Sequence, residues 1–262
     1  MSMLKVLKYC FSDLTRSRWS YVYFGFYLCL GFVLLFLNHD LSKATITLLN
    51  IILILTPMIG TIFGIMYYYD SREFTELLLA QPLKRKVIFM GQFLGISFSL
   101  GLSLVLGLGI PFVLYGLFGS EATTHFVTLL LTGLFLTFIF VGISINIGLA
   151  NTNKIKGFGY AILTWLFFAV IYDGIFLIAL ILFQDYPLDR FTLLASLLNP
   201  IDLSRTLILL KLDISALMGY TGAVFQKFFG SNWGMSAAMT SLTIWTFIPL
   251  LLLIRKGNLK DF

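Results

Sequence analysis

The chain has 262 residues, of which 59% are hydrophobic and 11% charged, and its formal net charge is +6. A soluble domain is about one quarter charged, so the composition excludes an ordinary water-soluble fold. The length is consumed by apolar spans of about 20 residues each, and no basic stripe interleaved with aromatics points to nucleic acid.

Residues 1–18 place Leu4, Leu7, Phe11 and Leu14 at helical spacing among Lys5, Lys8, Arg16 and Arg18. This predicts an interfacial amphipathic helix leading into a retained membrane anchor, since no small-residue cleavage site follows. A first span is expected over 20–37, with Trp19 and Tyr21 at an aromatic belt. A second covers 44–69 and a third 87–110, neither with a charge. Gly107, Gly109 and Pro111 are expected to break or kink the third apolar run. Spans four and five are expected over 124–150 and 158–183, separated by a short loop carrying Lys154 and Lys156. Residues 184–231 mix charges with leucines and read as two short amphipathic helices, the first started by Asn199 and Pro200 and the second by Asp213. A sixth span covers 233–254.

Orientation follows from Lys and Arg. Thirteen of the eighteen (5, 8, 16, 18, 72, 84, 85, 86, 154, 156, 255, 256 and 260) flank one side, and five (43, 190, 205, 211 and 227) the other. The positive-inside bias then predicts cytoplasmic N- and C-termini. The fold class expected is a single all-α polytopic transmembrane domain of six spans.

Catalytic signatures are absent. There is no GxxxxGK[ST], HExxH, GxSxG or GxGxxG. His39 and His125 fall near outer loops and read as solvated residues rather than metal ligands. The eight Met are dispersed, and Cys10 and Cys29 form no CxxC. No catalytic residue, metal ligand or cofactor site is therefore expected.

Three features carry candidate function. Gly60/Gly64 and Gly91/Gly95 have the spacing that lets helices approach closely, and would pack spans two and three on each other. Asp173 is an acidic residue inside a span, either lining a pathway or hydrogen-bonding across helices. The polar segment 70–86 predicts a short helix. Asp70 and Glu73 form a capping box, Pro82 stops it, and Arg72 can pair with Glu76. Phe74, Leu77, Leu78 and Gln81 form one face, while Lys84, Arg85 and Lys86 meet membrane lipid headgroups. The segment reads either as a loop helix lying on the membrane or as a coupling helix pushed by a soluble partner.

Glu76-Leu-Leu-Leu-Ala-Gln-Pro-Leu-Lys-Arg85 and Gly91-Gln-Phe-Leu-Gly95 resemble the loop after the second span in permeases of the type-2 ABC exporter class. Trp165-Leu-Phe-Phe168, Tyr172-Asp173 and Leu197-Leu-Asn-Pro-Ile-Asp-Leu-Ser-Arg205 are similar to the NosY family within that class. The resemblance implies a homodimeric permease of a bacterial inner membrane that is not itself an enzyme. An ABC ATPase (NosF-like) would dock on Arg72, Glu73, Phe74, Glu76, Leu77, Leu78, Gln81 and Pro82. A periplasmic NosD-like protein would meet Asn199, Pro200, Asp202 and Arg205. The task implied is maturation of the copper–sulfur centre of nitrous oxide reductase. Export of a lipid, drug or peptide, or transmission of mechanical work without a cargo, are the alternatives.

Overall fold

The computed structural model describes residues 3–16, 18–38, 40–81, 84–120, 122–183, 189–211 and 232–259. Among them the fold is all-α, with no strand. The elements are α1 (Met3–Arg16), α2 (Arg18–Asn38), α3 (Leu41–Asp70), α4 (Arg72–Leu79), α5 (Arg85–Leu114), α6 (Ala122–Ala150), α7 (Lys154–Leu166), a π-helical turn (Phe167–Ile171), α8 (Tyr172–Leu182), α9 (Asp189–Leu198), α10 (Pro200–Lys211) and α11 (Asn232–Leu259). Among the described residues six helices are long and apolar enough to cross a membrane: Ser20–Asn38, Leu41–Asp70, Arg85–Leu114, Ala122–Ala150, Lys154–Leu182 and Gly234–Gly257. The second amphipathic helix expected from Asp213 lies outside the described residues.

Contacts divide the chain into two compact units, one of Met1–Ile162 with Thr246–Phe262 and one of Leu163–Trp245. In the first unit α3 packs along α6, while α5 receives α1 on one stretch and α2 on another. Water drives none of this packing inside lipid, so close van der Waals approach and shared hydrogen bonds must hold the helices. Phe112 stacks on Phe126 with ring centroids 4.2 Å apart, and Leu48, Ile52, Phe89 and Phe140 are fully buried. Within α2 Tyr23 donates to Tyr27 at 3.2 Å, and the pairing crosses to α3, where the Tyr27 and Thr56 hydroxyls are 3.0 Å apart. Asn146 donates to the carbonyls of Gly142 and Pro249, tying α6 to α11.

Two expectations need correction. The Gly-xxx-Gly pairs do permit close approach, but not of spans two and three to each other. Gly60 and Gly64 face α6, at Thr137–Ser144, whereas Gly91 and Gly95 face α1. A Cβ on Gly95 would stand 2.7 Å from the Cβ of Cys10 and 3.1 Å from the Phe11 nitrogen, so any larger residue would drive α1 off α5. Nor does Pro111 break the third span. α5 continues through it to Leu114, and the turn comes at Gly116 and Gly119, both with positive φ. A proline ring is tolerated in a membrane helix where neighbours make room, and here Gly31 of α2 does so: a Cβ there would meet the ring at 2.9 Å.

Candidate functional sites, a braced polar helix and a buried ionic cluster

The first site is α4, in the first unit. The expected capping box does not form. α3 runs on through Asp70, the N-cap position falls to Ser71, and the Ser71 side chain makes no capping bond. The Asp70 carboxylate is taken instead by Lys154, with Nζ 2.8 Å from Oδ1. The neighbouring Tyr69 hydroxyl donates to the carbonyls of Asn151 and Asn153 at 2.9 and 3.2 Å. Two consecutive residues thus fasten the base of α4 to the segment joining α6 and α7.

The helix is held from below as well. Thr75 and Leu78 are buried. Gln92 of α5 donates to the Thr75 hydroxyl at 2.7 Å, and that hydroxyl donates onward to the Ser71 carbonyl at 2.8 Å. Phe74 stacks on Tyr9 of α1 with centroids 4.5 Å apart. Arg72 and Glu76 form the expected pair at 2.9 Å.

The anticipated face of Phe74, Leu77, Leu78 and Gln81 is therefore split. At about 100° per residue, the buried direction bisects Thr75 and Leu78, which turns Leu77 roughly 130° away from it. Leu77 is 67% exposed, and Glu73, Ala80 and Gln81 are exposed beside it. Pro82 lies outside the described residues. Sequence periodicity missed Thr75 because its burial depends on Gln92, seventeen residues away.

The second site lies in the second unit and joins residues that the sequence reading kept apart. Asn199 caps α10, its Oδ1 accepting from the Ile201 nitrogen at 3.0 Å, with Pro200 in the first turn. Its amide nitrogen reaches the Phe168 carbonyl at 2.9 Å and Asp173 Oδ1 at 3.5 Å. A π turn widens the ladder and frees backbone groups, and Asn199 fills one of them.

Arg205 projects from the same helix, with Nη1 2.8 Å from Asp173 Oδ2 and 3.7 Å from Asp202 Oδ1. Asp202 accepts from the Ser196 hydroxyl at 2.7 Å. Burial pushes the Asp202 carboxyl above the usual carboxylate range and Asp173 adds to the rise, while Ser196 and Arg205 oppose it. Tyr172 closes the cluster by donating to the Ala195 carbonyl at 2.6 Å, and Trp245 donates to the Leu197 carbonyl at 3.0 Å. The Asp173 side chain keeps 24% of its surface exposed and that of Arg205 30%. Asp173, Asn199, Asp202 and Arg205 form one network in which a guanidinium serves two carboxylates. It is chemically a tie across helices, and among the described residues no three His, Cys, Asp or Glu side chains are grouped to hold a metal ion.

Comparison with known proteins accords with this layout. Residues 6–255 match the family model described as ABC-2 family transporter protein. The chain is similar to the probable ABC transporter permease protein NosY of Pseudomonas aeruginosa strain PAO1, with 30% identity over 156 residues, 55% of this chain and 54% of that protein. The chain spans about half the length of the curated relative it matches.

Proposed function

The chain belongs to the ABC-2 family of transporter proteins, and on that premise we propose that it is the permease subunit of an inner-membrane transporter serving maturation of the copper–sulfur centre of nitrous oxide reductase. ATP is hydrolysed on a separate ATPase subunit, and two copies of this chain form the membrane core. The likeness to the NosY protein supports the finer assignment, and the thirteen-to-five distribution of Lys and Arg supports cytoplasmic termini.

One observation carries the coupling role. α4 buries Thr75 and Leu78, stacks Phe74, and is fastened at its base, yet it turns Leu77 outward with 67% of its surface exposed. A braced helix presenting an apolar knob flanked by Glu73, Ala80 and Gln81 suits insertion into a cleft on a partner. Closure of the ATPase pair would push α4, and the push would pass to α3 and to the segment of Asn151–Lys154 through Tyr69 and Asp70.

The engagement of Asp173 by Arg205 and Asn199 favours a mechanical reading over a pathway-lining one. A carboxylate held by a guanidinium is not free to accompany a cargo. On this reading the extracytoplasmic helices α9 and α10 move as the tie dictates and hand work to a periplasmic NosD-like partner.

The test is deletion of the gene in a denitrifying host, followed by optical and metal analysis of the purified reductase. An exported, folded enzyme lacking its copper–sulfur centre is the expected result. A normal copper–sulfur content would leave the chain as an ABC-2 permease for another cargo.

A further inference from the structure

A cavity of about 400 Å³ opens between the end of α1 and the last turns of α3, in the first unit. α1 lies along α5, with Val6, Cys10 and Leu14 buried, and this leaves a cleft toward α3. On α3 the lining residues recur at Phe63, Met66, Tyr67 and Asp70, with Ser71 following. These share one face, and at 1.5 Å per residue they grade from apolar to polar over about 10 Å. α1 adds Asp13 and Arg16 at the polar end.

Two hydroxyls in this wall have no hydrogen-bond partner among the described residues. They are Tyr67 Oη, on a residue with 8% of its surface exposed, and Ser71 Oγ. The Tyr67 hydroxyl lies beside the Cys10 thiol and the Asp13 carboxylate. Unmet buried donors are costly inside a membrane protein, and Tyr67 and Ser71 both belong to the wall of this cavity. The second carboxylate there, Asp70, is already taken by Lys154.

We propose that this cleft binds the headgroup and upper acyl chain of a zwitterionic aminophospholipid from the leaflet that carries α1. The donor set matches the two ends of such a headgroup. Arg16, Tyr67 and Ser71 offer donors to a phosphate, and Asp13 offers a carboxylate to a primary ammonium. The gradient toward Met66 and Phe63 selects a molecule with a chain attached over a free phosphoamine. A purely anionic lipid would meet Asp13 without compensation. Because Ser71 is the residue between α3 and α4, an occupied cleft would also brace the short helix from a further side.

Native mass spectrometry of the full chain, released from micelles holding equal phosphatidylethanolamine and phosphatidylglycerol, tests this directly. One phosphatidylethanolamine per protomer should survive. Tyr67→Phe removes one donor to the phosphate while keeping the ring, so it should still fold while lowering retention about tenfold. Asp13→Asn should abolish the preference for ethanolamine over glycerol headgroups. Equal retention of both lipids by the wild-type chain would overturn the proposal, as would variants that hold phosphatidylethanolamine as the parent does. Displacement by water-soluble phosphoethanolamine at the lipid's own concentration would also overturn it, by showing that the apolar end contributes nothing.

Discussion

Lys154 Nζ stands 2.8 Å from Asp70 Oδ1, so the first residue of α7 is tied to the last residue of α3, where α4 begins. More than half of each side chain is exposed, and such a pair contributes less than about 1 kcal/mol to stability. Its value is positional. Asp70→Asn and Lys154→Gln should leave the melting temperature within about a degree or two of the parent, yet lower transporter-stimulated ATP hydrolysis. The charge-swapped double variant Asp70→Lys with Lys154→Asp should recover part of that stimulation. Unchanged stimulation in both single variants would show that the tie carries no force.

Leu77 and Phe74 separate docking from folding. Leu77→Ala removes an exposed side chain and should weaken co-purification of the ATPase, by about 2 kcal/mol or more if it fills a pocket, with no loss of thermal stability. Phe74→Ala should do the reverse first, because it deletes the stack on Tyr9 and part-buried area. A cost of about 1–3 kcal/mol in stability is expected. Equal ATPase capture by Leu77→Ala and the parent would move the docking surface elsewhere.

The Asp173–Arg205 pair predicts a non-additive cycle. Arg205→Leu strands a partly buried carboxylate, for which about 1–3 kcal/mol is expected after allowing for partial exposure. Asp173→Asn should cost less, since Asn keeps the contact with Asn199, and should impair function while preserving assembly. The double variant should be more stable than Arg205→Leu alone. Thermal unfolding of the four proteins decides the matter. Additive losses would mean that the two groups do not interact in solution.

Asp202 supplies a pH dependence with a definite sign. Its carboxyl is raised above 3.8, chiefly by burial, so the folded chain binds this proton more tightly than the unfolded chain. The stability this provides is fully present below the ordinary carboxylate value and is lost as pH rises through the raised one. Asp202→Asn should therefore melt with the parent near the acid end of that window and above it at neutral pH. A variant that melts below the parent at neutral pH would mean that Arg205 outweighs the burial.

Much of the fold was legible because its signals are local. Apolar length marked the six spans, and Asn199 with Pro200 announced the start of α10 at the right residue. What escaped was the choice of partner. The glycine pairs gave a spacing but not the neighbour that exploits it. Asp70 had the right offset from Glu73 for a capping box, yet Lys154, 84 residues on, claimed its carboxylate. The Phe74–Leu77 face had helical periodicity, but burial followed the bond between Thr75 and Gln92, which no period reveals. Asp173 was visible as an anomaly, and its answer, Arg205, sat 32 residues away in a segment assigned another task.

The π turn at Phe167–Ile171 has a bearing on descent. Such a turn accommodates one residue more than an α-helical ladder would, and everything beyond it is rotated by about 100°. Asp173 faces Arg205 only in that rotated phase. Deleting a single residue from the turn would restore a regular helix and swing the carboxylate away, leaving the guanidinium without its main acceptor. The length of this stretch and the acid–base pair should therefore be inherited together. Relatives one residue shorter here should also lack one or both charges, a pattern that an alignment of the family can read without any experiment.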